Sequence, residues 1–161
     1  MEPREYQRIV NLYIDMVYRV ALNGCKNSYD AEDVVQDTFL KLLKCKKPFE
    51  SDAHVRNWLI RVTINACKSI WSSPWKTRTL ALDEQFEGAY VEPKFTDEEH
   101  GRIFEKVMEL PPKYREPLYL YYFEEVSIKE VAQILKLSET AVQTRLQRAR
   151  NMIKNDVGGI L

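Results

Sequence analysis

Residues Ser127–Arg150 read SIKEVAQILKLSETAVQTRLQRAR. Ile128, Val131, Ala132 and Leu135 fall at i, i+3, i+4 and i+7, the spacing of one apolar helix face. Lys136–Leu137 break the pattern, and Ser138 is a natural N-cap, because its hydroxyl can accept a free N–H of the next turn. A second helix then carries Val142, Leu146, Ala149 and Ile153 on one stripe. Thr140, Gln143, Thr144, Gln147 and Arg148 are turned away from it. Two short amphipathic helices around a tight turn predict a helix-turn-helix whose second helix enters a DNA major groove. A plain helical hairpin in a bundle has the same apolar pattern.

The surrounding chain has 161 residues, room for one ordinary domain or two small ones. Its apolar and charged fractions are those of a globular protein. No run of about 18 apolar residues occurs, so no membrane-spanning helix is expected. The opening MEPREYQRIV lacks the apolar run of a signal peptide, and the expected location is the cytoplasm. Cys25, Cys45 and Cys67 form no CxxC pair, and His54 and His100 lie near none of them in sequence. Free structural thiols are expected, with no metal site and no cofactor.

The 24 basic and 24 acidic residues cancel. Their distribution is uneven. Beyond Leu135 the basic residues Lys136, Arg145, Arg148, Arg150 and Lys154 face only Glu139 and Asp156. Acidic residues predominate from Glu98 to Leu135. A neutral chain with a basic recognition helix is expected to borrow DNA affinity from a larger partner.

Upstream, helical periodicity predicts a first helix from about Arg4 to Asn23, stopped at Gly24. Its buried stripe is Tyr6, Ile9, Val10, Tyr13, Val17 and Ala21. A second helix, Ser28–Lys44, is expected to be capped by Asp30. It buries Val34, Val35, Thr38, Phe39, Leu42 and Leu43, and exposes Glu32, Asp33, Gln36 and Asp37. After the loop Cys45–His54, a third helix over Val55–Ser72 carries Trp58, Leu59, Val62, Ala66 and Ile70 at helical spacing. Arg56, Arg61, Asn65 and Lys68 are interleaved with them. Basic, amide and aromatic groups on one helix suit phosphates and unstacked bases.

From Ser72 to about Thr96 the period fails among Pro74, Gly88 and Pro93, and acidic residues gather. Roughly 20 residues without structure are too long for a connection inside one compact domain, so two modules are expected. A helix capped by Asp97 follows, carrying Ile103, Phe104, Val107, Met108 and Leu110. Pro111–Pro112 end it and open the next, Lys113–Phe123. Pro117 inside that helix predicts a kink or a late start. The fold class is therefore all-α: two small helical domains on a flexible linker, the C-terminal one a helix-turn-helix.

Four segments together resemble the bacterial sigma-70 family of RNA polymerase sigma factors, in its extracytoplasmic-function class. DAEDVVQDTFLKL (Asp30–Leu42) is similar to the family's polymerase-binding helix, and NWLIRVTINACKSI (Asn57–Ile70) to its promoter-melting helix. LPPKYREPLYLYYFEEVSIKEVA (Leu110–Ala132) resembles the start of its fourth domain, and AVQTRLQRAR (Ala141–Arg150) its −35 recognition helix. The order of all four, with a variable linker between the pairs, makes the resemblance specific.

The resemblance implies sigma domain 2 over residues 1–75, a linker over 76–96 and sigma domain 4 over 97–161. It implies that Asp33, Gln36 and Asp37 dock on the β′ clamp helices of core RNA polymerase, with the β flap as a further contact. The loop around Phe49, Ser51 and Asp52 would hold a flipped-out −10 base, and Arg56, Arg61, Asn65 and Lys68 would line the melted strand. Gln143, Thr144, Gln147 and Arg148 would read the −35 element, and Arg145 would hold phosphate. An anti-sigma factor is a further implied partner. The chain departs from the family where Lys136 replaces a common turn glycine and where Pro74–Trp75 replace an often basic stretch. Thr140 and Ala141 also stand where glycine or a small residue is usual. Gln143 stands where a basic residue is common, which predicts a shifted −35 preference, because Gln pairs with adenine and Arg with guanine.

The expected function is promoter-specific initiation with no bond made or broken by this chain. A stand-alone helix-turn-helix regulator is the alternative. Such proteins commonly dimerise on two half-sites, and that reading leaves the first module without a role. No Gly-rich phosphate loop, metal cluster or nucleophile motif supports an enzyme.

Overall fold

In a computed structural model the described residues are 1–72 and 98–157, with side chains described for 1–72 and 101–154. The sequence expectations for 76–96, for Pro74–Trp75 and for an Asp97 cap lie outside the described residues. The chain divides into two compact units, Met1–Glu92 and Pro93–Leu161. Among the described residues every regular element is an α-helix.

The first unit is three mutually packed helices: α1 (Pro3–Cys25), α2 (Ser28–Lys44) and α3 (Asp52–Ser72). Pro3 opens α1 where a missing N–H costs nothing. Its core is built from Ile9, Val17 and Val20 of α1, Val34 and Leu42 of α2, and Val55, Leu59 and Ile60 of α3.

Four local expectations need correction. Gly24 lies inside α1, and the helix ends one residue later, with Lys26 left-handed (φ 62°) and its N–H on the Leu22 carbonyl. A Cβ at Gly24 would lie 2.7 Å from Cys67 Sγ, so this glycine lets α1 approach α3. The cap of α2 is Asn27, whose side chain accepts from the Asp30 N–H at 2.9 Å, and not Asp30. Leu43 is exposed. Helix α3 begins at Asp52 and buries Val55, Leu59, Ile60, Thr63, Ile64 and Cys67, a stripe rotated from the expected one.

The second unit holds α4 (Glu98–Glu109), α5 (Pro112–Tyr122), α6 (Ile128–Leu135) and α7 (Glu139–Val157). Ile103, Phe104 and Val107 of α4 meet Leu118 and Leu120 of α5 and the inner stripe of α7. Helix α5 starts at Pro112 and runs on through the buried Pro117, so there is no late start. Phe123 stacks on Tyr119 and meets Phe104 edge-on, which makes these aromatics core. The Arg115 guanidinium is buried and donates to the Leu110 carbonyl at 3.1 Å, closing the α4–α5 turn. Of the acidic pair before the hairpin, Glu124 accepts the Tyr119 hydroxyl at 2.9 Å. Glu125 takes the left-handed turn position (φ 55°).

Candidate functional site

The hairpin of α6 and α7 is fixed by three local devices. Ser127 caps α6 by accepting the Glu130 N–H at 3.2 Å, and its hydroxyl donates to the Glu130 carboxylate at 2.9 Å. Lys136 is left-handed (φ 56°, ψ 47°) and returns its N–H to the Ala132 carbonyl. Leu137 does the same at 2.9 Å. Ser138 then caps α7, accepting the Ala141 N–H at 3.0 Å. Val142, Leu146, Ala149 and Ile153 are all buried, as expected from their spacing.

That burial sets the outer face. Thr140, Gln143, Thr144, Gln147 and Arg148 are exposed, and Arg145 is half-buried at its edge. The Thr144 hydroxyl donates to the Thr140 carbonyl at 3.0 Å, and Gln147 donates to Asn151 at 3.2 Å. Arg150 points elsewhere, over the Tyr121 ring at 5.8 Å. A row of amide, hydroxyl and guanidinium groups on a rigid helix has the donor and acceptor set that base edges require.

In the first unit, α2 exposes Glu32, Asp33, Gln36 and Asp37. Asp37 pairs with Lys41 at 3.0 Å, both about half exposed, so its charge is partly offset. Sequence reading missed that Tyr29, Leu40 and Leu43 are exposed along the same helix, making its outer side acidic and apolar together. The missed signal was a helix with more leucines and valines than one buried stripe holds.

A small aromatic cluster joins the segment before α3 to the first turns of that helix. Phe49 meets His54 and Trp58 edge-on, with centroids at 5.2 and 5.6 Å. His54 Nδ1 accepts the Glu50 N–H at 3.0 Å, and the His54 N–H donates to Ser51 Oγ at 3.1 Å. Neither histidine bond was foreseen from sequence. Asp52 carries an ion pair with Arg8 at 2.9 Å, and its carbonyl accepts the Tyr13 hydroxyl at 3.0 Å. The Arg8 hydrogen bond holds the Asp52 carboxyl below its usual range. Partial burial, with the Asp52 charge nearby, pushes the Tyr13 hydroxyl up.

On α3, Arg61, Asn65 and Lys68 are exposed at i, i+4 and i+7, one continuous stripe. Arg56 lies roughly 140° round the helix from Arg61. It is half-buried, with its Nε on Asn57 Oδ1 at 3.2 Å. The structure therefore brings three of the four predicted strand-lining residues together and sets the fourth apart. No group of three or more His, Cys, Asp or Glu suited to a metal ion occurs among the described residues. No helix there is long and apolar enough to cross a membrane.

Comparison with known proteins covers both units. The family model described as Sigma-70 region 2 matches residues 9–77, and that described as Sigma-70, region 4 matches residues 100–153. The chain is 32% identical over 149 residues to the ECF RNA polymerase sigma factor SigM of Bacillus subtilis, covering 91% of each chain. It is 25% identical to SigW of the same organism, over 92% of this chain and 87% of that one. In fold it is similar to the sigma factor RpoE of Bartonella quintana, solved with the anti-sigma factor NepR. The TM-score there is 0.73 at 19% identity, covering 98% of this chain and 99% of that one. CnrH, solved with the cytosolic domain of CnrY, gives 0.70 at 23% identity, over 99% and 92%.

Proposed function

The chain belongs to the extracytoplasmic-function class of sigma-70 family RNA polymerase sigma factors, and from that premise we propose how its surfaces share the work. As a sigma factor it binds core RNA polymerase and promoter DNA and directs promoter-dependent initiation. The division of labour runs over domain 2 at residues 1–75, a linker at 76–96 and domain 4 at 97–161.

One observation carries the assignment for domain 4. Gln143, Thr144, Gln147 and Arg148 stand together on the exposed side of α7, while Val142, Leu146 and Ala149 hold its other side in the core. These four residues read −35 bases in the major groove, and Arg145 at the edge holds a phosphate. In domain 2, Asp33, Gln36 and Asp37 engage the β′ clamp helices, and domain 4 meets the β flap. The stripe Arg61, Asn65 and Lys68 tracks the displaced −10 strand, and Arg56, on another side of α3, meets it nearer the start of the helix. Phe49, Ser51 and Asp52 frame the pocket for an unstacked base.

A net charge of zero fits this scheme. Phosphate attraction dominates stand-alone DNA affinity, and here the polymerase supplies it. Two weak readers on one tether gain specificity through effective concentration. The chain itself makes and breaks no bond, acts in the cytoplasm and is held inactive by an anti-sigma factor, as the structural neighbour solved with a bound anti-sigma factor suggests.

Transcription reconstituted with core polymerase on a promoter library tests the scheme. Initiation should concentrate on one −35/−10 pair. Replacing Asp33 and Gln36 with Ala should weaken core binding, and undiminished binding would remove them from the docking surface.

A further inference from the structure

Two of the three cysteines, 42 positions apart in sequence, meet in the first unit with their sulfurs 3.3 Å apart. Cys25 is the last residue of α1 and Cys67 lies inside α3. Both are buried, at 1% and 3% exposure. Gly24 permits the approach, since a Cβ there would press on Cys67. Trp71 Nε1 donates to the Gly24 carbonyl at 2.7 Å and fixes the two helices at the same point. Cys45 stands apart, half-exposed, with its sulfur against the Lys47 carbonyl.

We propose that Cys25 and Cys67 are an oxidation site that hydrogen peroxide closes to an intramolecular disulfide between α1 and α3. A disulfide spans about 2.05 Å, so each sulfur has to move by roughly 0.6 Å. The order of attack follows from access. Cys25 is the last residue of α1, next to the exposed left-handed Lys26, so a local opening of the helix end is enough to admit a small oxidant. Its thiolate attacks one peroxide oxygen, the O–O bond breaks, water leaves and a sulfenic acid remains. The Cys67 thiolate then attacks that sulfur, the S–O bond breaks and a second water leaves. Two thiols and one peroxide give one disulfide and two waters, with two electrons passing from sulfur to oxygen. Thiol exchange in a reducing compartment reverses the bond.

The closed loop contains all of α2. Cross-linking it restricts the unfolded chain and hardens the unit that carries α2 and α3. The inference rests on sulfur geometry and is independent of the promoter-reading assignments.

The test treats the full chain with hydrogen peroxide, then unfolds it, alkylates it and maps the peptides. Two of the three thiols should be lost to alkylation, with a Cys25–Cys67 linked peptide and a rise in melting temperature of about 5–10 °C. Dithiothreitol should reverse both. Cys45→Ser should behave as the parent, and Cys25→Ala should lose the link and the rise. Three alkylatable thiols after treatment, a link through Cys45, or over-oxidised Cys25 beside reduced Cys67 would each overturn the proposal.

Discussion

The Arg8 guanidinium grips the Asp52 carboxylate with two hydrogen bonds, Nη2 to Oδ1 at 2.9 Å and Nη1 to Oδ2 at 3.4 Å. The same guanidinium also holds Glu5. The contact ties the start of α1 to the first residue of α3, at the base of the loop assigned to the −10 element. Asp52 therefore has a structural partner before any nucleotide arrives.

Arg8→Ala should raise the titration midpoint of Asp52, followed by carboxyl NMR, toward the ordinary carboxylate value. The sign follows from the hydrogen bond, which lowers the folded pKa of both Asp52 and Glu5. A lowered folded pKa contributes stability above the unfolded value and loses it as pH falls through the folded one. The difference in unfolding midpoint between parent and variant should thus be present at neutral pH and shrink in acid. All three side chains are exposed, so the effect should be small and further reduced by salt. A difference that persists unchanged in acid would assign Arg8 to packing.

Gly24→Ala should destabilise the first unit by up to about 2 kcal/mol in denaturant unfolding. Alanine gains helix propensity of about 1 kcal/mol over glycine. Against that, its Cβ would stand 2.7 Å from Cys67 Sγ and 2.8 Å from Cys67 Cβ. The second atom is anchored to the backbone and cannot swing aside, so the helices must part, at a cost of about 1–3 kcal/mol. A stabilised variant would mean that the helices separate freely.

The contrast between α7 and α3 shows what could be read from sequence. Helix α7 packs on α4, α5 and α6 through a single narrow stripe, and Val142, Leu146, Ala149 and Ile153 repeat along it without competitors. Helix α3 packs on both α1 and α2, and apolar residues surround it. Trp58, Val62 and Ala66 matched a helical stripe, yet Val55, Ile60, Ile64 and Cys67 are deeper. Periodicity alone cannot choose between overlapping stripes when apolar residues lie on several sides of a helix. Gly24 read as a helix stop because glycine often is one. Its actual partner lies 43 positions along the chain, and no local pattern carries that contact. The Arg8–Asp52 bond was hidden for the same reason, whereas the polar exposed residues of α2 and α7 followed from the buried ones, and the exposed Leu43 of α2 did not.

Lys136→Gly should stabilise the second unit by about 0.5–1 kcal/mol. Lys136 closes α6 in the left-handed region, which costs a residue with a Cβ about 1–2 kcal/mol. Glycine removes that cost and returns part of it as unfolded-chain entropy. Thermal unfolding should show a midpoint a few degrees higher. A lowered midpoint would show that the lysine side chain contributes more than its backbone conformation costs.

Gln143→Arg should change which −35 sequences are used without changing affinity for core polymerase. Gln143 follows the buried Val142 and stands exposed on α7, so the longer side chain needs no repacking beneath it. An amide pairs with N6 and N7 of adenine, and a guanidinium with O6 and N7 of guanine, each pair worth about 1–3 kcal/mol of discrimination. That is roughly a tenfold to hundredfold change in preference at one base position. Initiation on a promoter library reads it directly, and a separate binding measurement with core polymerase supplies the control. The added charge also strengthens binding to any phosphate chain, and this part falls with salt equally for every sequence. The base-specific part is what survives when the comparison is made between promoters at one salt concentration. An unchanged ranking of promoters there would place the −35 reading on residues other than Gln143.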